Sequence, residues 1–201
     1  MLLTTLTILS LTLSSCAGSS SPPGTHHDGP PINSDQTSND EPLVFVEDEV
    51  KKTSIVLGEG ELAETFKLEI AADDVARSLG LSARDELADD GGMIFIYPRA
   101  DDRSFWMYNC LMDIEIIFID PLGRVTATHE MPAEPLRARY ESETDYGNRL
   151  KRYPSRRMAQ FAIEVKPGTL KRLNIQPGDK IRADWEKLAE LAKVADRSLP
   201  W

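Results

Sequence analysis

Arg103 to Arg124 reads RSFWMYNCLMDIEIIFIDPLGR, and the reading of this stretch decides the fold. Ile114 to Ile119 is the longest unbroken run of β-branched and aromatic residues in the chain, the composition of a strand. Asp120-Pro121-Leu122-Gly123 puts Asp, Pro and Gly where a type I turn favours them, so a hairpin into RVTATHE is expected. Upstream, Ser104 to Tyr108 (SFWMY) reads as an aromatic strand in which Trp106 faces opposite to Phe105 and Met107.

The flanking sequence repeats the pattern of short strands between turn signals. Val44 to Val50 and Thr53 to Gly60 are β-prone, and Thr65 to Ile70 alternates with Phe66, Leu68 and Ile70 inward. A helix follows over ADDVARSLGLSARDEL, capped by Asp73 or Asp74, with Val75, Leu79 and Leu87 on its inner side and a break at Gly80. Gly91-Gly92 introduces the strand MIFIY. Residues Pro132 to Arg157 are irregular and charged. Met158 to Val165 alternates again, with Phe161, Ile163 and Val165 on one face and Gln160 and Glu164 on the other. A short helix TLKRLNI, a strand KIRADW and an amphipathic helix from Glu186 complete the chain. The fold class is therefore mainly β: a compact antiparallel β-sandwich or partial barrel with short helices and a C-terminal helix.

The bulk composition narrows the function. The chain has 201 residues, 41% of them hydrophobic and 28% charged, which suits one globular domain with appendages. Its net charge of −10 argues against general nucleic-acid binding, which needs a basic surface. Of two cysteines, Cys16 has its own assignment below, and Cys110 reads as a small buried hydrophobe. Only His129 lies outside the polar linker, so a His/Cys metal cage is not expected; neither a metal nor another cofactor is implied.

The N-terminus supplies an address. Leu2 to Leu13 is an apolar run of signal-peptide length, too short to span a bilayer. Its ending, Leu13-Ser14-Ser15-Cys16, resembles the bacterial lipobox, although no Lys or Arg precedes it. The expected organisation is a lipoprotein signal peptide over 1–15, then a lipidated Cys16 and disordered linker over 16–43. A β-sandwich domain follows over 44–185, and a helical extension over 186–201. Multiple acyl chains on Cys16 give stable anchoring, and the linker holds the domain roughly 30 Å off the membrane surface. The expected location is the cell envelope outside the cytoplasm.

At this point a family resemblance emerges. Gly80-Leu81, Arg84, Leu87, Gly92-Met93-Ile94-Phe95, Phe105-Trp106-Met107, Asn109, Ile117-Phe118-Ile119-Asp120 and Gly123 resemble a bacterial and archaeal family, domain of unknown function 192. Tyr140, Glu164, Gly168 and Gly178-Asp179 continue the match, which covers roughly Ser54 to Trp185. The resemblance implies a compact β-sandwich, often exported, with no established activity. Ser82 and Tyr108 depart from the family's usual Met and Lys. Asp113-Ile114-Glu115 stands where the family has Pro-x-Asp, which moves a carboxylate outward by one methylene. A group that receives hydrogen bonds or binds loosely tolerates that change; precise chemistry does not.

Four residues are candidates for ligand binding: Trp106, Asn109, Asp113 and Glu115. An indole face beside an amide suits sugars and other amphipathic ligands. The plainer reading makes Trp106 a core residue and Asn109 a turn residue. Asp113 and Glu115 share a face if both lie on the strand, the arrangement of an acid–base pair in glycan hydrolysis. The plainer reading puts Asp113 in a solvated loop and pairs Glu115 with Arg84, Arg99 or Arg103. Arg149, Lys151, Arg152, Arg156 and Arg157 form a basic cluster that suits anionic head groups or envelope polymers, or else a solvated loop. The leading expectation is a non-enzymatic domain that binds an envelope glycan, peptide or protein. The alternatives are a hydrolase using Asp113 and Glu115, and an envelope assembly factor.

Overall fold

The computed structural model describes residues 51–197; the expected signal peptide, Cys16, the linker and the strand over Val44–Val50 lie outside them. Among the described residues eight strands and four α-helices follow one another: β1 (Lys52–Leu57), β2 (Glu64–Ala71), α1 (Asp74–Leu79), β3 (Gly91–Asp101), β4 (Ser104–Phe105), β5 (Ile114–Ile119), β6 (Val125–Met131), α2 (Glu143–Arg149), β7 (Tyr153–Pro154), β8 (Ala159–Val165), α3 (Thr169–Arg172) and α4 (Trp185–Arg197). Six strands make one sheet in the order β1-β2-β3-β8-β5-β6, and β4 pairs with β7 in a second, two-stranded one.

The mainly β character with short helices is as the sequence indicates. The large sheet, however, is mixed. The connection carrying α1 returns the chain parallel to β2, so β2 and β3 pair in parallel while the other neighbours in the sheet are antiparallel. The β5–β6 hairpin forms where the Asp-Pro-Leu-Gly turn puts it. Asp120 Oδ1 accepts from the amides of Leu122 and Arg124, and Gly123 takes the positive φ of 82° that glycine tolerates.

The core has two compartments, one on each face of the large sheet. On the first, Ile94, Ile96, Ile117, Ile119, Phe161 and Ile163 lie in one cluster with Leu173, Trp185, Leu188 and Ala192. The C-terminal helix is thus a layer of the core, not an appendage beyond residue 185. On the second, Phe95, Ile116, Phe118 and Ala162 meet Leu81, Met107 and Tyr153. Because β8 lies between β3 and β5, all seven of its residues are buried. Gln160 and Glu164 therefore face the second compartment and not solvent.

Three local expectations need correction. Val75 and Leu79 point outward from α1, 69% and 63% exposed, since this two-turn helix has no buried residue and leans on its caps. Asp73 accepts from the Ala76 amide at its start, and Gly80 closes it with a φ of 52°. The aromatic strand SFWMY shortens to Ser104–Phe105, after which the chain turns. KIRADW forms only an isolated bridge between Lys180 and Arg124.

Candidate functional site

The turn after β4 is what exposes Trp106. Asn109 adopts a left-handed φ of 54°, its amide donates to Tyr146 Oη at 2.8 Å, and its carbonyl accepts from the Ala83 amide at 2.8 Å. Ser82 Oγ ties the same turn down by donating to the Tyr108 carbonyl at 2.9 Å. Phe105 goes inward, edge-on to Phe95 and Phe118, and Met107 is fully buried. Trp106, between them, is 38% exposed. The Arg152 guanidinium stacks 3.6 Å from its ring centroid and is held by a bond to the Gly147 carbonyl. A Cβ at position 147 would come within 3.2 Å of the indole, so α2 approaches closely only because the residue there is glycine.

Beneath this turn, between it and the C-terminal end of α1, lies a hollow of about 140 Å³ lined in part by Arg77, Gly80, Ser82, Tyr97, Trp106 and Glu164. That volume falls below the ~300 Å³ at which pockets for whole small molecules begin, so it admits one chemical group and not a large ligand. Gly80 keeps it open: a Cβ there would sit 3.2 Å from Phe95 and 4.0 Å from Glu164 Oε2.

Glu164 is the residue that sequence reasoning missed as a site. It is 6% exposed, and its carboxyl has neither a hydrogen-bond nor an ion-pair partner among the described residues. Burial away from water raises its pKa to about 8, so it is mostly a neutral acid at pH 7. The signal was a Glu alternating with apolar residues on a strand, and it is ambiguous until one knows whether that strand is central. Nearby Cys110 donates to the Tyr108 carbonyl, and burial followed by the Glu164 charge pushes its thiol up to about 12. It is a packed thiol, not a nucleophile.

The other candidates do not gather around Trp106. Asn109 is the turn residue just described. Asp113 is exposed and accepts from the Ala133 amide at 2.8 Å. Glu115 is 3% exposed on the opposite face of the sheet, aligned with Ile117 and Ile119, where its oxygens accept from the amides of Gly168 and Leu170 at 2.8 and 2.7 Å. Its partners are backbone, not arginine; Arg84 pairs with Glu69 instead, a bond that lowers the Glu69 pKa. Asp113 and Glu115 therefore do not form a shared acid–base cleft. His129 Nε2 bonds the Pro154 carbonyl at 2.8 Å and its ring lies edge-on to Phe118 and Tyr153.

The basic cluster divides as well. Arg149 pairs with Glu141 at 2.6 Å and sits over Tyr146; Lys151 sits over Tyr153 and Arg152 over Trp106. Arg156 and Arg157 are exposed and make no ion pair among the described residues. No helix among those residues is long and apolar enough to cross a membrane.

Comparisons with known proteins agree with this architecture. The model of the DUF192 family, described as "Uncharacterized ACR", matches residues 55–183. A crystal structure of a protein of unknown function from Novosphingobium aromaticivorans is 28% identical, with a TM-score of 0.54 over 66% of this chain and 85% of its own. A second, from Sinorhizobium meliloti and described as a candidate transcription regulator, is also 28% identical at a TM-score of 0.54, over 68% of this chain and 98% of its own. No curated protein matches the chain.

Proposed function

The chain belongs to the DUF192 family of uncharacterised proteins, and from that premise we propose that this member is an envelope lipoprotein whose domain binds a ligand through one small group inserted beneath Trp106. One observation carries the binding half: a buried carboxyl, without a hydrogen-bond or ion-pair partner among the described residues, opens onto a hollow rimmed by an exposed indole. The hollow reaches the Glu164 oxygens, which are not among the fully sealed unpaired polar atoms, so a ligand group entering it meets a hydrogen-bonding carboxyl that no protein group among the described residues occupies. The lipid anchor rests on the Leu13-Ser14-Ser15-Cys16 motif alone.

The hydrolase reading, which needs Asp113 and Glu115 in one cleft, has little support: Glu115 is buried with both oxygens bound by the Gly168 and Leu170 amides, while Asp113 is exposed and bound to the Ala133 amide. The description of the Sinorhizobium relative finds little support in a chain of net charge −10 whose basic cluster largely stacks on its own aromatic rings. For an anionic surface, Arg156 and Arg157 remain available, and an assembly role would use them.

The two halves are tested separately. Metabolic labelling with a palmitate analogue is expected in the wild type and absent in Cys16→Ser; equal labelling of both, or of neither, removes the anchor. A thermal-shift screen with envelope glycans, peptides and divalent ions is expected to find a ligand whose effect disappears in Trp106→Ala. A response that survives Trp106→Ala, or none from any class, removes the site.

A further inference from the structure

Resting on the binding reading above, the chemistry of the hollow narrows what enters it. Arg77 is the one basic side chain in its lining, and Arg103 and Arg152 lie behind the aromatic walls. Arg77 reaches the carbonyls of Ala72 and Ile96 and the Asp74 carboxylate. Arg103 stacks 3.8 Å from the Tyr97 ring centroid and donates to the Arg99 carbonyl, and Arg152 covers Trp106 while bonding Gly147. A cationic ligand meets the Arg77 guanidinium in the wall, with a face of both Tyr97 and Trp106 already taken up by cation stacking. An anionic ligand finds the Arg77 donors turned to the Ala72 and Ile96 carbonyls and the Asp74 carboxylate, and no other basic side chain in the lining to neutralise it. Neither charge suits the cavity.

We propose that the hollow selects an uncharged group able to donate and accept hydrogen bonds, with a carboxamide as the closest match, and that Glu164 meets it as a carboxylic acid doing both. A carboxylic acid presents its O–H and C=O side by side, and a primary carboxamide presents N–H and C=O with the same spacing, so the two pair at two points. Phe95, Phe105 and Leu81 line the apolar part of the cavity and suit the alkyl end of such a group.

Ionisation of Glu164 removes its O–H and with it half of the match, so binding falls as pH rises through about 8. The titratable and charged groups facing Glu164 are Arg77 and its partner Asp74 from α1, Tyr97 from β3, and Tyr108 and Cys110 from the turn. His129 on β6 occupies the same cross-strand row but is separated from it by Ile116 on β5. Tyr97, whose pKa burial raises, and Cys110 both titrate above Glu164, which leaves Glu164 as the group that changes in this window.

The test uses the full-length chain and three probes of one size: acetamide, acetate and methylammonium. Binding is read from the aromatic 13C–1H signals of Trp106 and the carboxyl carbon of Glu164. Acetamide is expected to shift both at pH 7, at concentrations at least five-fold below those the ions require. Its affinity should drop about ten-fold by pH 9, in step with the Glu164 carbon signal. Glu164→Gln, which keeps a donor beside an acceptor, should hold acetamide within two-fold of wild type and lose the pH dependence. A preference for methylammonium that Glu164→Gln abolishes overturns the inference and leaves the binding site standing. A preference for acetate, or affinity flat across pH while the Glu164 carbon titrates, also overturns it. Should no probe move Trp106, both the inference and the site fall. Wild-type titrations decide the matter alone if Glu164→Gln does not fold.

Discussion

Two glutamates, Glu115 on β5 and Glu164 on β8, occupy adjacent central strands, and both are nearly sealed from water. They face opposite sides of the sheet and live in opposite circumstances. Glu115 has both oxygens bound by the amides that begin α3, a use of backbone donors that a short helix leaves free. Glu164 has a cavity and neither a hydrogen-bond nor an ion-pair partner among the described residues. The first arrangement is what a carboxylate needs to be buried for structural reasons; the second leaves a carboxyl at the wall of a cavity, where its hydrogen bonds fall to whatever enters that cavity. Burial alone therefore does not mark a functional acid. What its oxygens touch does.

The largest expected effect follows from that difference and depends on pH. Glu164 binds its proton in the folded state up to about pH 8, whereas its ordinary value is 4.5. Between these values the folded protein holds a proton that the unfolded chain has released, so stability falls as pH rises and the loss is complete above about 8. Urea unfolding across pH 5 to 9 should show a decline of several kcal/mol in wild type and a much flatter profile in Glu164→Gln. Equal slopes in the two proteins would mean that Glu164 has found a partner in solution.

On the other face the expected effect does not need pH. Glu115→Ala strands the amides of Gly168 and Leu170, and hydrogen bonds to a charged group contribute about 1.5–3 kcal/mol each. A loss of roughly 3 kcal/mol in urea unfolding at pH 7 is the expected outcome. A loss under about 1 kcal/mol would show that water replaces the carboxylate and that the clamp is dispensable.

Much of this fold was legible because its signals are local. The Asp120–Gly123 turn fixes a hairpin through bonds two and four residues apart, and Asp73 caps α1 through one three residues away. Trp106 does face away from Phe105 and Met107, although a turn after β4 and not strand alternation carries it outward. What stayed hidden depends on strand order, which no short window carries. Glu164 reads as a solvent-facing residue until β8 is known to lie between β3 and β5. Asp113 and Glu115 read as a pair until Glu115 is found facing α3. The parallel β2–β3 contact likewise depends on where a 19-residue connection returns, and α1 within it looked like a core helix from its spacing alone.

A smaller effect probes the rim of the hollow. Arg152→Ala removes the cation from one face of Trp106, and such stacking at an exposed site contributes about 0.5–1 kcal/mol. Thermal unfolding should register little more than that. Trp106 fluorescence should respond more, since the ring gains a solvent-exposed face. If instead stability falls by more than about 2 kcal/mol, Arg152 holds the turn together and the Trp106 side belongs with Glu115 among the structural features.

The smallest expected effect lies on α1, the wall of the hollow opposite Trp106. Val75 is an apolar residue in a helix that borders a buried cavity, and a periodicity argument assigns it to the core. Its 69% exposure says that it has almost no transfer free energy to lose. Serine and valine also have similar helix propensities, and the Asp73 cap does not involve position 75. Val75→Ser should therefore leave urea stability within about 0.5 kcal/mol of wild type, as for an ordinary surface position. It should also leave probe binding beneath Trp106 unchanged. A loss of about 2 kcal/mol would mean that α1 folds down over the hollow with Val75 inward, closing the cavity that separates Glu164 from Glu115 in kind.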